Sequence, residues 1–142
     1  MGMLDKWFGG RKDYPPLPTD NEAQAKLDDV RSQLEELAQR VSDHLEVVPA
    51  EREAYVFLGK PPKRFGIAWI HDGKVSGLKE LVDENQLSPR AIEKLVDNLG
   101  KAYEHASEAP RYSTRIGGKE MVVIPSAGLG QEVHQIIERA TH

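Results

Sequence analysis

The chain of 142 residues is 39% apolar and 30% charged, carries a net charge of −4 and contains no cysteine. The length suits one domain, the missing cysteine excludes disulfides and thiolate sites, and no stretch approaches the roughly 20 apolar residues that a membrane span needs. We expect a cytoplasmic protein with one compact core and some exposed helix.

The first 19 residues combine aromatic side chains with proline. Trp7 and Phe8 are followed by a proline-rich turn segment that ends at Pro18. This combination is typical of a short aromatic anchor on a semi-rigid tether, which would contact either a groove on a partner or a membrane surface. The alternative is a strap over the protein's own core. We predict a flexible tail over 1–19, with Trp7 and Phe8 as candidate partner contacts.

The segment 20–48 carries the clearest helical pattern. Its apolar residues recur at alternating spacings of three and four, at Leu27, Val30, Leu34, Leu37, Val41 and Val48. This is the seam of a coiled coil over three heptads, with one polar break at His44. Such a helix has to bury its seam against either its own domain or a second copy. We predict a homodimer whose interface holds Leu27, Val30, Leu34, Leu37 and Val41.

Two hairpin signals follow in the rest of the chain. Strand-like apolar runs occupy 54–58, 64–71, 74–76, 112–116 and 120–124. The dipeptides Asp72-Gly73 and Gly117-Gly118 separate pairs of these runs and are typical of two-residue hairpin turns.

A central helix begins at Ser88, between the two hairpins. The hydroxyl of Ser88 suits an N-cap, Pro89 suits the first helical position, and apolar residues then recur at helical spacing as far as Ala106. A closing helix is predicted over 131–140. These elements predict an α+β domain over 54–142, in which an antiparallel sheet of four to five strands, built from two hairpins, carries helices on one face. The long helix over 20–48 precedes this domain.

No residue constellation commits the chain to a reaction. The five histidines never pair at i, i+4, and no carboxylate completes a zinc motif. His71 beside Asp72 is the most suggestive pair, because a carboxylate orients an imidazole, but turn chemistry alone explains Asp72. The G-x-G that begins at Gly128 lacks the lysine of a phosphate-binding loop. We therefore expect no enzyme, no metal and no cofactor.

The segment from Leu78 to Leu95 resembles a helix-turn-helix. Four apolar residues fall where that motif places its core, namely Leu81, Leu87, Ile92 and Leu95, whereas Asn85 and Gln86 depart from its pattern. The hairpin that follows is similar to the wing of winged-helix proteins. The resemblance implies an alternative function, a DNA-binding transcriptional regulator over 78–124. Its nucleic-acid contacts would be Arg90, Lys94, Arg111, Arg115 and Lys119.

Base stacking on strand aromatics is a second route to nucleic acid. The aromatic residues concerned are Tyr55, Phe57, Phe65 and Trp69, and stacking platforms are built from such strands. By their period of two, the same side chains suit the core beneath the helices.

The pattern as a whole favours a non-enzymatic protein–protein interaction module. A striped helix that needs a partner, a domain without a reactive constellation and an aromatic tail are typical of an adaptor, an assembly factor or a regulatory subunit. We predict that the protein binds another protein and forms a homodimer through 20–48.

Overall fold

The computed structural model describes residues 14–141. Over this range the chain forms one six-stranded mixed sheet that carries helices on both faces. The strands are β1 (Leu45–Ala50), β2 (Glu53–Lys60), β3 (Arg64–His71), β4 (Lys74–Gly77), β5 (Tyr112–Ile116) and β6 (Lys119–Val123). The helices of the described residues are α1 (Glu22–Asp29), α2 (Arg31–Arg40), α3 (Leu78–Asn85), α4 (Pro89–His105) and α5 (Ala127–Thr141).

The strand order is β4-β3-β2-β1-β6-β5 and comes from two pieces of chain. The first four strands form an antiparallel meander from β1 to β4. The helices α3 and α4 then return the chain to the other side of β1, where β6 pairs with β1 in parallel and β5 takes the edge. A parallel pair cannot be closed by a tight turn, so this order requires the long connection.

One face of the sheet is covered by α1 and α2. The apolar stripe of these helices includes Leu27, Leu34 and Leu37, which are 0%, 0% and 4% exposed. The stripe packs against Val47 of β1 and Val56 of β2 in the first hydrophobic core. Burial of such side chains is worth about 1.5–3 kcal/mol each relative to exposure.

The opposite face is covered by α3, α4 and α5. Leu95 and Leu99 of α4 and Val133 of α5 pack against Tyr55 and Phe57 of β2 in the second hydrophobic core. The two polar clusters described below border this second core.

The prediction of a long coiled-coil helix over 20–48 is wrong. The helix breaks at Val30, where φ is −119°, and it ends at Arg40. The predicted seam residues Leu27, Val30, Leu34 and Leu37 are at most 4% exposed, and Val41 is half-buried against the same core. The protein's own sheet therefore covers this stripe, which was the alternative to a second copy.

The prediction of a four- to five-stranded antiparallel sheet with helices on one face is also wrong. The sequence pattern did not predict strand β1, whose residues Leu45–Ala50 are almost wholly buried. A central strand covered on both faces is apolar throughout and does not alternate, so its Val47-Val48 was assigned to the end of a helix. The domain boundary predicted at residue 54 falls inside the sheet, because β1 lies between β2 and β6.

The central helix is confirmed at its predicted start. The Oγ of Ser88 accepts from the N–H of Ala91 at 3.1 Å, and Pro89 occupies the first turn. The residue before this cap, Leu87, follows Gln86, which ends α3 in the left-handed region at φ 52°. The segment with the helix-turn-helix pattern thus contains two helices, α3 and α4.

Residues 14–18 run along the outer edge of β5. The N–H of Leu17 donates to the carbonyl of Ser113 at 2.9 Å, and the N–H of Ser113 donates to Pro15 at 2.9 Å. Leu17 is 6% exposed and joins the first core. This part of the predicted tail is a strap on the protein's own sheet, while Trp7 and Phe8 lie outside the described residues.

Within residues 14–141, no helix has the length and apolar character that crossing a membrane would require.

Candidate functional site

The first polar cluster joins α5 to the ends of β2 and β3. The hydroxyl of Tyr55 donates to Glu53 at 2.8 Å, and the indole N–H of Trp69 donates to the same carboxylate oxygen at 3.0 Å. Nδ1 of His134 lies 2.7 Å from the Tyr55 hydroxyl. Because the phenol gives its one proton to Glu53, the imidazole Nδ1–H donates to the hydroxyl.

The aromatic rings of this cluster are engaged within the chain. His71 stacks on Trp69 with ring centroids 3.7 Å apart, and Tyr55 flanks the same indole at 6.4 Å. Burial and the neighbouring Glu53 raise the pKa of Tyr55 above its usual range. A phenol held neutral between two hydrogen-bonding partners fastens α5 to the sheet.

The second polar cluster lies under the end of α4. The hydroxyl of Tyr103 donates to Oε1 of Glu46 at 2.6 Å, and Nε2 of His44 lies 3.2 Å from Oε2 of the same carboxylate. Glu46 is 8% exposed. Burial, with Glu46 beside it, raises the pKa of Tyr103. Two partners satisfy the buried carboxylate, while Nδ1 of His44 is buried without a partner among the described residues.

A cavity of about 520 Å³ adjoins this second cluster and is lined by residues that include Tyr14, Pro62, Tyr103, Glu104 and Arg111. The guanidinium of Arg111 lies 5.2 Å from the centre of the Tyr103 ring. Its Nη1 donates to the carbonyls of Ala106 and Ala109, which follow α4, at 3.2 and 3.0 Å. Arg111 thus helps to cap the C-terminus of α4, where a cation is favoured near the free carbonyl groups.

The third feature is a groove of about 700 Å³ between α4 and the loop that joins β2 to β3. Its apolar surface comes from Ile92 and Val96 on α4 and from Pro62 on the loop. Ile92 and Val96 are half-buried, yet neither packs against either hydrophobic core. Apolar side chains that face such a concave surface are typical of a binding site.

Residue 100 is a glycine and lies where the loop and α4 come close together. A Cβ built on Gly100 would lie 3.1 Å from the carbonyl oxygen of Pro62 and 3.7 Å from the Phe65 ring. The absence of a side chain at this position therefore allows the loop to lie against the backbone of α4.

Charged side chains form the rim of this groove. Glu93, Asp97, Lys101 and Glu104 stand on the α4 side and Lys63 stands on the loop. Lys101 lies 3.2 Å from Asp97. Among residues 14–141, Glu93 and Glu104 take part in no salt bridge. The α4 wall therefore presents two carboxylates that form no ion pair within this range, and Lys63 stands across the groove from them.

The candidate nucleic-acid residues are not equally available. Arg90, Lys94 and Arg115 are exposed, whereas Arg111 binds backbone carbonyls and Lys119 donates to the carbonyl of Val41 at 3.0 Å. The predicted wing is the β5–β6 hairpin, which is part of the six-stranded sheet.

The strand aromatics lie mostly in the second core. Tyr55 and Phe57 are 1% and 0% exposed, and Phe65 and Trp69 pack against the same core. A base cannot stack on rings that the protein's own helices cover, so these residues do not form the platform that the sequence allowed.

The predicted pair His71 and Asp72 forms a contact of 3.3 Å at the exposed β3–β4 turn.

Within the part of the chain that the structure describes, no group of three or more His, Asp or Glu side chains is arranged to hold a metal ion.

Comparisons of the chain with known protein families, curated proteins and solved structures find no match.

The groove was missed because Ile92 and Val96 were assigned to the buried stripe of α4. No local signal separates these two residues from the buried ones, because Ile92 and Val96 fall on the same helical stripe as Leu95 and Leu99. Which part of that stripe the protein's own core leaves uncovered depends on the surrounding fold, including the loop at Pro62, and helical periodicity carries no information about it.

Proposed function

We propose that this protein is a non-catalytic interaction module that holds a short segment of a partner protein in the groove between α4 and the β2–β3 loop. The observation that carries the proposal is that Ile92 and Val96 are half-buried in a concave surface but pack against neither core. Recognition of an apolar segment in such a groove is a recurrent mode of peptide binding.

The polar clusters support a binding role over a catalytic one. Glu53 and Glu46 each accept from two groups of the chain itself, and Nδ1 of His134 is engaged by the hydroxyl of Tyr55. Groups with satisfied partners stabilise the fold and are costly to redirect to a substrate. The homodimer and the cytoplasmic location expected from the sequence stay predictions.

Site-specific photo-cross-linking tests this function. A photoreactive phenylalanine analogue at position 96 of the full chain is expected to form adducts with a discrete polypeptide in cells, whereas the same group at the exposed Glu36 on the other side of the sheet is not. The partner identified by mass spectrometry is then purified and titrated.

Val96→Asp is expected to weaken the binding of that purified partner by at least about tenfold, or about 1.4 kcal/mol. Ser32→Asp adds the same charge at an exposed position of α2 and is expected to leave binding unchanged. Equal binding by the two variants, or equal adducts from positions 96 and 36, would show that the groove is not the site.

A further inference from the structure

We propose that the chain's own N-terminal segment, residues 6–11, is a ligand of the α4 groove and competes there with the partner. This inference rests on the proposed function and adds a form of regulation to the same site. The segment lies outside the described residues, and its sequence is Lys6-Trp7-Phe8-Gly9-Gly10-Arg11.

The first argument is the spacing of charge along the groove. Glu93 and Glu104 are both exposed on the α4 wall. They are separated by about 16 Å along the axis, at about 1.5 Å of rise per helical residue. An extended ligand that pairs with both needs two basic residues about five positions apart, at about 3.3 Å per residue.

The second argument is that the segment meets this requirement. Lys6 and Arg11 stand five positions apart, with Trp7 and Phe8 between them. The two aromatic side chains match the apolar surface of Ile92, Val96 and Pro62 in chemistry. Lysine and arginine match in charge the carboxylates of Glu93 and Glu104, which form no ion pair among residues 14–141.

The third argument is where the described chain begins. Tyr14 lines the cavity beside the groove, and two residues of that cavity, Pro62 and Glu104, also line the groove itself. Arg11 precedes Tyr14 by three positions, so it is within reach of Glu104 at about 3.3 Å per residue. The attachment point is therefore at the Glu104 end of the groove, which raises the local concentration of the segment.

The test uses full-length protein and a fluorescein-labelled synthetic peptide of residues 1–13. The double variant Trp7→Ala/Phe8→Ala removes the apolar side chains of the internal segment. We expect the peptide to bind this variant at least about tenfold more tightly than it binds the wild-type chain, because the wild-type groove is already occupied. Fluorescence anisotropy measures both affinities.

Charge reversal in the groove provides the second arm. Glu93→Lys/Glu104→Lys, added to the double variant, is expected to weaken peptide binding by at least about tenfold. Glu22→Lys/Glu35→Lys reverses two exposed charges on α1 and α2 and is expected to have no such effect. Equal affinities for the wild-type chain and the double variant, absence of peptide binding, or insensitivity to the groove charges would each overturn the inference. Photo-cross-linking from position 96 to a partner would still stand, so the two failures are distinguishable.

Discussion

The hydroxyl of Tyr103 on α4 donates to Oε1 of Glu46 on β1 at 2.6 Å, between residues 57 positions apart in the chain. Glu46 is 8% exposed and lies on the sheet face of the second core, paired with Phe57 of β2 and Val122 of β6. A buried carboxylate that loses a donor keeps the cost of its desolvation. This one hydrogen bond therefore joins the helix that carries the groove to the centre of the sheet.

Removing that donor is expected to destabilise the fold. Tyr103→Phe should lower the free energy of unfolding by about 2–3 kcal/mol, since hydrogen bonds to charged groups contribute about 1.5–3 kcal/mol and the carboxylate stays buried. Urea denaturation at neutral pH measures the change. The control is Tyr112→Phe, because the Tyr112 hydroxyl takes part in no hydrogen bond among the described residues. A loss no greater than that of the control would contradict this account of Glu46.

Two buried tyrosines are expected to make the protein sensitive to alkali. Burial raises the pKa of Tyr55 above 10.0, and Glu53 adds to the effect. Burial and the neighbouring Glu46 likewise raise the pKa of Tyr103. The unfolded chain loses these protons near pH 10.0 while the folded chain keeps them. Stability from these groups is therefore fully present below pH 10.0 and is lost as the pH rises above it.

The measurement is urea denaturation at a series of pH values from 8 to 11. We expect a flat free energy of unfolding at first and then a fall of up to about 1.4 kcal/mol per pH unit for each such tyrosine. Tyr55→Phe should make the fall shallower, because one of the two groups no longer titrates. The same slope in the wild-type chain and in this variant would show that Tyr55 is not responsible.

The elements that were predicted correctly are those whose ends are set by neighbouring residues, such as a helix cap or a tight turn. Ser88 and Pro89 mark the start of α4 by capping alone, and the Asp72-Gly73 turn joins β3 to β4 where it was expected. The sequence did not show whether an apolar helical stripe packs against a second helix or against a sheet. Leu27, Leu34 and Leu37 suit a second helix and a sheet face equally well, and only the position of β1 decides between them. The groove depends on the close approach of Pro62 to Gly100, which is a long-range contact without a local signal.

The predicted coiled-coil stripe provides a third test. Leu34 is 0% exposed in the first core, so Leu34→Ala should lower the free energy of unfolding by about 2–5 kcal/mol through lost burial and a cavity. If the stripe is buried within one chain, this loss is the same at every protein concentration. If a second copy covered the stripe, stability would depend on concentration, because association stabilises the folded state by mass action. Denaturation at two concentrations a hundredfold apart decides between these cases.

Two glycines with positive φ differ in their surroundings and provide a matched pair. Gly59, the next-to-last residue of β2, has φ 102°, and a Cβ there would lie 2.9 Å from the carbonyl oxygen of Arg64. Gly118 has φ 78° and nothing within 4 Å. Gly118→Ala should cost about 1–2 kcal/mol, which is the strain of the left-handed backbone alone. Gly59→Ala should cost about 3 kcal/mol or more, because the clash is with backbone of the neighbouring strand.

The N–H of Gly59 also donates to the carbonyl of His44 at 2.8 Å, which limits how far this part of β2 can shift to relieve the clash. Thermal denaturation of the two variants beside the wild-type chain measures the difference. A melting temperature for Gly59→Ala at or above that of Gly118→Ala would mean that β2 and β3 separate at low cost. The approach of the β2–β3 loop to Gly100, and with it the shape of the groove, would then be adjustable.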